Sequence, residues 1–492
     1  MSAAAGPGIL PDMWFGRILL GVCCGAAWIG AARADTYAGA AWAVHFNRPD
    51  QTTSAASIGS DEFVLRDALL ARIDALASGD WACLATYTFS GNTAAGGAAG
   101  PILAAMSNAL ARGARLAFVA DNGVDVTSNY WPGVSLAGLA ARPDNALELS
   151  RAPADSGIMH HKVGVFWYRA AGQAWVLAGS WNFTGGASSQ QWNVLTEIQD
   201  NGLAAAYSNE MRELLSGRFH AAAAKSHAHD GTRFRLAGMD RDGWVRFAPY
   251  PDGKYGGSNA LTDVIAAIDG AQEEIFFGLN KLTRQGVVDA LVRACDRGVE
   301  VHGSIPKSDR SLPAQDSYAM YQALSQPTNY ATRNRVRLYE AYYDAARTRY
   351  DNVNRDLIHA KYMVIDPRGA NPLVIQGSAN WTAGALVLTS SNDENVQFLP
   401  HAGIAEAFRA QFAAMTDGLK PWCALRTAGA AAWLDYWLPE AEPYELVSTT
   451  NLLAGSAAWT NRVAELPAGR GTNSVPLALG GAPQFFRVRP AP

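Results

Sequence analysis

HHKVGVFW (160–167) and HAKYMVID (359–366) each place a lysine two positions after a histidine and then run into an apolar stretch. Lysine is scarce here, seven against thirty-three arginines, so two of the seven in matched settings is a signal. The second stretch closes on Asp366, where the first closes on Trp167. Working outward, the flanks repeat in the same order. VHFNRP (44–49) answers VRFAPY (245–250), and ALARGARLAFVAD (109–121) answers VRACDRGVEVHGSI (292–305). GSWNFT (179–184) answers GSANWT (377–382), and Glu197 in NVLTE is matched to Glu394 in NDEN. The chain therefore reads as a tandem duplication of roughly 200 residues per copy.

Each copy runs through an extended entry, an amphipathic helix, a buried strand, a second helix ending at Arg-Gly, another strand and then the motif hairpin. That alternation predicts an α/β fold with helices packed on a sheet. The first repeat is expected over 35–235 and the second over 236–425. A linker over 426–444, ending in PEAEPY, leads to a small β module over 445–492, where Thr, Val, Trp and Phe alternate between Gly, Pro and Asn turns.

The 492 residues, 49% hydrophobic and 17% charged, are those of a folded protein too long for one ordinary core. A net charge of -4 excludes the global basic footprint of a dedicated nucleic-acid binder. From Met13, an alternative start, Arg17 precedes an apolar run over 18–30 and an Ala-Arg-Ala ending at Ala34. This predicts a cleaved signal peptide over 1–34 and a secreted or periplasmic protein. A membrane anchor would need about 18 or more uninterrupted apolar residues, which the segment lacks. Cleavage would leave Cys83, Cys295 and Cys423, which make no disulfide framework, and Cys83 and Cys295 read as small core residues. Neither a CxxC pair nor HExxH occurs, so no metal or other cofactor is expected.

In a strand, residues two apart share a face, so His160 and Lys162 point the same way, as do His359 and Lys361. Ser180 with Asn182, and Ser378 with Asn380, do the same on the following strand. Each copy thus offers an imidazole, a fixed cation and hydrogen-bonding side chains on one patch suited to phosphate. A neutral imidazole can attack phosphorus and a protonated one can donate to a leaving alkoxide. One copy holds one such histidine, and two facing copies supply both, with lysines and asparagines around the equatorial oxygens. Asn182-Phe183-Thr184 and Asn380-Trp381-Thr382 also match glycosylation sequons, but their paired placement inside the motif favours the site.

HAKYMVID with GSANWT and NDEN resembles the phospholipase D superfamily, whose signature is HxKxxxxD followed by GSxN, over about residues 44–418. The resemblance implies two α/β repeats packed with pseudo-twofold symmetry, a site at their interface, a phosphohistidine intermediate and no metal. By the same resemblance His160 is the nucleophile and His359 the acid. Lys162, Lys361, Asn182 and Asn380 complete the catalytic set, with Ser180, Ser378, Glu197, Glu394 and Asp366 in support. Trp167 departs from the pattern, as it does in branches such as the tyrosyl-DNA phosphodiesterases. Asp366, seven residues after His359, faces away from the patch in a regular strand and opens Asp-Pro-Arg-Gly, a favourable turn. Its expected role is to end a strand, so Trp167 is read as packing.

The expected substrate is a phosphodiester, with phospholipid head groups favoured and peripheral membrane contact through aromatic segments such as NYWPG (129–133) and YEAYYDAARTRY (339–350). A nuclease is the alternative, with Arg333, Arg335, Arg337, Arg347 and Arg349 tracking a backbone. A catalytically inactive phosphate-binding relative is the third reading. Both half-sites in one chain imply a monomer.

Overall fold

The computed structural model describes residues 36–49, 63–91, 97–144, 146–155, 157–254, 256–305, 316–332, 334–340 and 357–416, with strand segments between 422 and 490. The expected signal peptide, Arg333, Arg347 and Arg349 lie outside these residues.

The first copy supplies β1 (Thr36–Ala38), β2 (Trp42–Phe46), β3 (Trp81–Thr86), β4 (Arg115–Ala120), β5 (Leu147–Arg151), β6 (Lys162–Tyr168), β7 (Gln173–Gly179), β8 (Gln191–Trp192) and β9 (Val194–Gln199). All but β8 form an eight-stranded sheet in the order β1-β2-β9-β7-β6-β3-β4-β5. The second copy supplies β10 (Arg233–Phe234), β11 (Gly243–Ala248), β12 (Glu274–Leu279), β13 (Glu300–Ile305), β14 (Arg337–Glu340), β15 (Leu357–Ile358), β16 (Lys361–Ile365), β17 (Leu373–Gly377) and β18 (Glu394–Leu399). Its sheet, β10-β11-β18-β17-β16-β12-β13-β14, repeats that order strand for strand. In each, the three consecutive strands that alternate with helices pair in parallel and the motif hairpin pairs antiparallel. The two-repeat α/β expectation holds.

Apolar residues on the two faces of the first sheet build two cores. On one face of the first sheet, Leu84, Phe118 and Phe166 pack with Leu65 and Leu69 of helix Val64–Asp74 and with Ile102 and Met106 of helix Ala99–Ala111. On the other face, Val163, Val165 and Val176 share one cluster with Val245, Tyr362, Val364 and Phe408 of the second copy. Neither copy could leave that second face in water, so burying it joins the two copies. Tyr207 crosses the joint, donating to Asn395 Oδ1 (3.0 Å) and accepting from Gln397 Nε2 (2.9 Å).

The Asp366/Trp167 difference resolves at the end of the motif strand. Asp366 is buried at φ 46°, a left-handed conformation that aspartate tolerates better than most residues. Its carboxylate accepts from the backbone N–H of Gln272 (2.9 Å), Glu273 (2.8 Å) and Glu274 (3.0 Å), pinning the loop that enters β12. Gly369 N–H closes the turn on Asp366 O at 2.9 Å. In the first copy Trp167 packs against the shared core and donates Nε1–H to Ser208 (3.0 Å). The carboxylate comes from the opposite side of the same joint: Asp80, one residue before β3, accepts from Ala77 N (2.8 Å) and Arg169 N (2.8 Å). The first copy has thus lost the aspartate without losing the joint.

The C-terminal strands form a separate compact unit with its own small core of Ala432, Leu434, Leu446, Leu466, Leu477 and Phe486. It begins earlier than expected. Most of the 426–444 linker is strand, Trp422–Ala428 paired with Ala431–Trp437, which pairs in turn with Asn473–Leu477.

Candidate active site

The segments leading into β6 and β16 do not pair within their own sheets. Met159 bridges to Asp393 and β15 pairs with β8, so each motif histidine is laid against the other copy. His160 N–H donates to Asp393 O (3.0 Å) and His359 N–H donates to Trp192 O (3.1 Å), two equivalent bonds across the joint.

Imidazole positioning follows the same exchange. His160 Nδ1 lies 2.8 Å and 2.9 Å from the two carboxylate oxygens of Glu394, and His359 Nδ1 lies 2.9 Å from Asn193 Oδ1. Asn193 is oriented by donating its Nδ2 to Ala187 O (2.9 Å), which leaves Oδ1 as the acceptor. Both histidines therefore carry their first proton on Nδ1 and turn Nε2 toward the site. Ser180 donates to Asn193 Oδ1 (2.8 Å) and Ser378 to Glu394 Oε2 (2.6 Å). These serines orient the histidines' partners rather than joining the phosphate patch. The glycine of each GSxN has a steric reason: a Cβ on Gly179 would sit 2.0 Å from Val194 O, and one on Gly377 2.2 Å from Asn395 O.

Glu197 belongs elsewhere. Its carboxylate meets His45 Nε2 at 2.7 Å and Arg72 at 2.6 Å, tying β2 and β9 to helix Val64–Asp74. The true counterpart of Glu394 is Asn193. It follows Ser180 by 13 residues where Glu394 follows Ser378 by 16, so an alignment by spacing slides past Asn193 to Glu197.

Lys162 and Lys361 are buried, and each donates to the carbonyl of its own histidine at 2.7 Å. The Oδ1 atoms of Asn182 and Asn380 are buried without a hydrogen-bond partner. Tyr87, which sequence reasoning missed, closes one wall. Its ring lies edge-on to the His160 ring at 4.9 Å, with the Lys162 ammonium 5.3 Å from its centroid. No motif marks this residue, since its place comes from the bend after β3.

The electrostatics are those of a site short of negative charge. Burial, opposed by Glu394 and Asp121, pulls Lys162 down to about 7. Burial and then Lys162 hold Lys361 well below the lysine range. Burial, with Lys361 and Lys162, keeps His359 well below its ordinary value. His160 falls to about 4, chiefly through burial, with Glu394 opposing. Glu394 stays ionised because His160, Lys162 and Ser378 outweigh the burial that would raise it. Two carboxylates, Glu394 and Asp121, stand against four groups that would gain from an anion, so an incoming anion supplies what the fold withholds.

A domain model described as "Cardiolipin synthase, PLD-like domain" matches residues 78–215 and 264–416, one segment in each copy. No curated protein matches the chain. Among solved structures, polyphosphate kinase from Porphyromonas gingivalis aligns at 14% identity and TM-score 0.45, over 76% of this chain and 50% of that one. The chain thus spans about half the length of that kinase. Phosphatidylserine synthase from Haemophilus influenzae Rd KW20 aligns at 10% identity and TM-score 0.47, over 71% and 83%. A mutant of yeast tyrosyl-DNA phosphodiesterase aligns at 10% identity and TM-score 0.40, over 74% and 88%. All three TM-scores lie below 0.5, so the assignment rests on the domain match, which covers more than half of the chain in two segments. With both copies matched and their motif histidines meeting across one joint, the chain belongs to the PLD-like domain family.

Proposed function

We propose that the protein is a phosphodiesterase working through a covalent intermediate on His160, with phospholipid head groups as its substrate. The observation that carries the chemistry is the unequal backing of the two imidazoles, Glu394 behind His160 and Asn193 behind His359. His160 Nε2 attacks phosphorus while its Nδ1–H stays on Glu394, whose charge offsets the cationic phosphoimidazole that forms. His359, protonated once the diester anion is bound, passes its Nε2 proton to the leaving alkoxide. Water or an alcohol then attacks the phosphohistidine, returning its proton to His359. Lys162, Lys361, Asn182 and Asn380 hold the equatorial oxygens. The two lysines furnish the positive charge that a metal would otherwise bring, so no cofactor is assigned, and both half-sites come from one chain.

The expected export after Ala34 and a net charge of -4 favour a lipid over a polyanion. Trp131, 37% exposed in the 129–133 loop, is an aromatic of the kind that contacts an interface. Among the described residues no helix is long and apolar enough to cross a membrane, and the reading needs none. Phosphatidylcholine or phosphatidylethanolamine in mixed micelles with ethanol is expected to yield phosphatidylethanol, with none from His160→Ala. Inertness toward lipid with salt-sensitive cleavage of DNA would move the assignment to a nuclease, and inertness toward every diester to a binding protein.

A further inference from the structure

A second buried polar cluster adjoins the His160 half-site, and the reaction as described does not use it. Lys225 lies just after the short turn Ala222–Ala224, in the connection between the two copies. Its ammonium is paired with Glu210 and stands 2.9 Å from Asp393 Oδ1. Glu210, on helix Asn201–Leu215, also meets His161 Nε2 at 3.2 Å and His229 Nε2 at 2.8 Å. Asp393 Oδ1 accepts from His220 N–H at 3.1 Å, and the His220 ring meets Asp155 at 2.6 Å. Burial alone would depress Lys225, but Glu210 and Asp393 override it and hold the ammonium above the ordinary lysine range. Lys162 and Lys361 show the reverse, so this cluster awaits no anion. Glu210, Glu213 and His229 also approach one another closely enough to suit a cation, but Lys225 already supplies the positive charge on Glu210.

The cluster's place in the chain gives it a purpose. His161 and Asp393 are the immediate neighbours of His160 and Glu394, the pair whose geometry sets the attacking imidazole. The two segments are stitched by His160 N–H to Asp393 O (3.0 Å) and Asp393 N–H to Ile158 O (3.0 Å). At the other half-site the corresponding residues are Ala360 and Trp192, whose side chains can form no ion pair. Equivalent backbone stitching thus carries an added ionic tie on one side only.

We infer that Lys225 is a positioning residue: by binding Asp393 to Glu210, which in turn holds His161, it fixes Glu394 against His160 and leaves the His359 half-site untouched. The inference rests on His160 being the nucleophile, and two separate readouts keep the questions apart. Protein labelled with ¹⁵N-histidine gives the Nδ1–H resonances of His160 and His359, assigned from the single histidine variants. In Lys225→Met and in the near-isosteric Asp393→Asn, the His160 resonance is expected to shift or broaden while that of His359 stays in place. The burst of p-nitrophenolate from bis(p-nitrophenyl) phosphate is expected to slow by about 10- to 100-fold, the scale of a misaligned reacting group. An unchanged His160 resonance with a wild-type burst would overturn the inference. Loss of both resonances in both variants would also overturn it, because the cluster would then support the whole fold. If the wild-type protein releases no nitrophenolate, the phosphodiesterase reading fails, while the resonances still decide the role of Lys225.

Discussion

His160 shares its Nδ1 proton with a carboxylate and His359 shares its own with an amide, across similar distances from matching places in two sheets of one topology. A unit charge at about 4 Å is worth about 4 kcal/mol at an effective dielectric of 20, near three pK units. The Glu394 side can therefore bear the positive charge of a phosphoimidazole, and the Asn193 side releases a proton more readily. Gene duplication made the two halves alike, and one exchanged side chain makes them complementary. The motif aspartate was exchanged as well, Asp366 in one copy and Asp80 in the other, but at a joint where only backbone N–H groups are held. On the proposed mechanism one substitution divides the chemistry, whereas the other leaves it alone.

The largest expected effect separates the histidines. His160→Ala should lower kcat by about 10⁴-fold or more and abolish the nitrophenolate burst. His359→Ala should also stop turnover yet keep a burst of one equivalent, because nitrophenolate leaves without a proton. Stopped-flow absorbance tells the two apart, and equal behaviour would break the comparison.

Next in size is the carboxylate itself. Glu394→Gln should cost about 10²-fold in kcat, while Asn193→Asp, which backs both imidazoles alike, should cost less and raise the pKa of His359. Histidine titration by NMR checks the second claim. With His160 at about 4 and Lys162 at about 7 in the free protein, kcat/KM for bis(p-nitrophenyl) phosphate, whose leaving group needs no proton from His359, should rise through the first value and fall through the second. The sign follows from the forms required: His160 must be neutral and Lys162 charged. Because bound phosphate favours the charged lysine, its affinity should be greatest below about pH 7 and binding above it should take up a proton, measurable by calorimetry in two buffers.

Stability effects are smaller and cross over. Lys361→Met removes a buried amine whose charged form the fold disfavours, so the inactive variant should be more stable by ~1–3 kcal/mol. Asp366→Ala and Asp80→Ala should each cost ~2–4 kcal/mol through lost bonds to backbone N–H groups while the folded fraction stays active. Trp167→Phe, which gives up one hydrogen bond to Ser208, should cost only about 1 kcal/mol. Urea unfolding with parallel assays orders the series. A Trp167→Phe variant as inactive as His160→Ala would place Trp167 in the chemistry.

Much of this was legible before any coordinates. The two-repeat α/β order follows from apolar periodicity and the paired motifs, but His160, His359 and the Ser and Asn of each GSxN lie just outside the strands, so strand parity does not place them. Glu394 is legible by type, but spacing misplaces its counterpart. Asn193 is an amide where a carboxylate was sought, and the second copy's hairpin is three residues longer. Tyr87, Asp80 and the Lys225 cluster were out of reach for a different reason. Their roles depend on which segments meet across the joint between copies, and linear spacing carries no record of that. Trp167 was readable because parity and turn chemistry act within a few residues of it.

The central claim is that the two half-sites hold different roles, and mass spectrometry of a trapped intermediate tests it most directly. His359→Ala is mixed with bis(p-nitrophenyl) phosphate, quenched under alkaline conditions that preserve phosphohistidine, digested and mapped. The account predicts a p-nitrophenyl phosphoryl group on the peptide containing His160, stable for lack of the base that would activate water. The same adduct on the His359 peptide of His160→Ala, with none on His160, would contradict it.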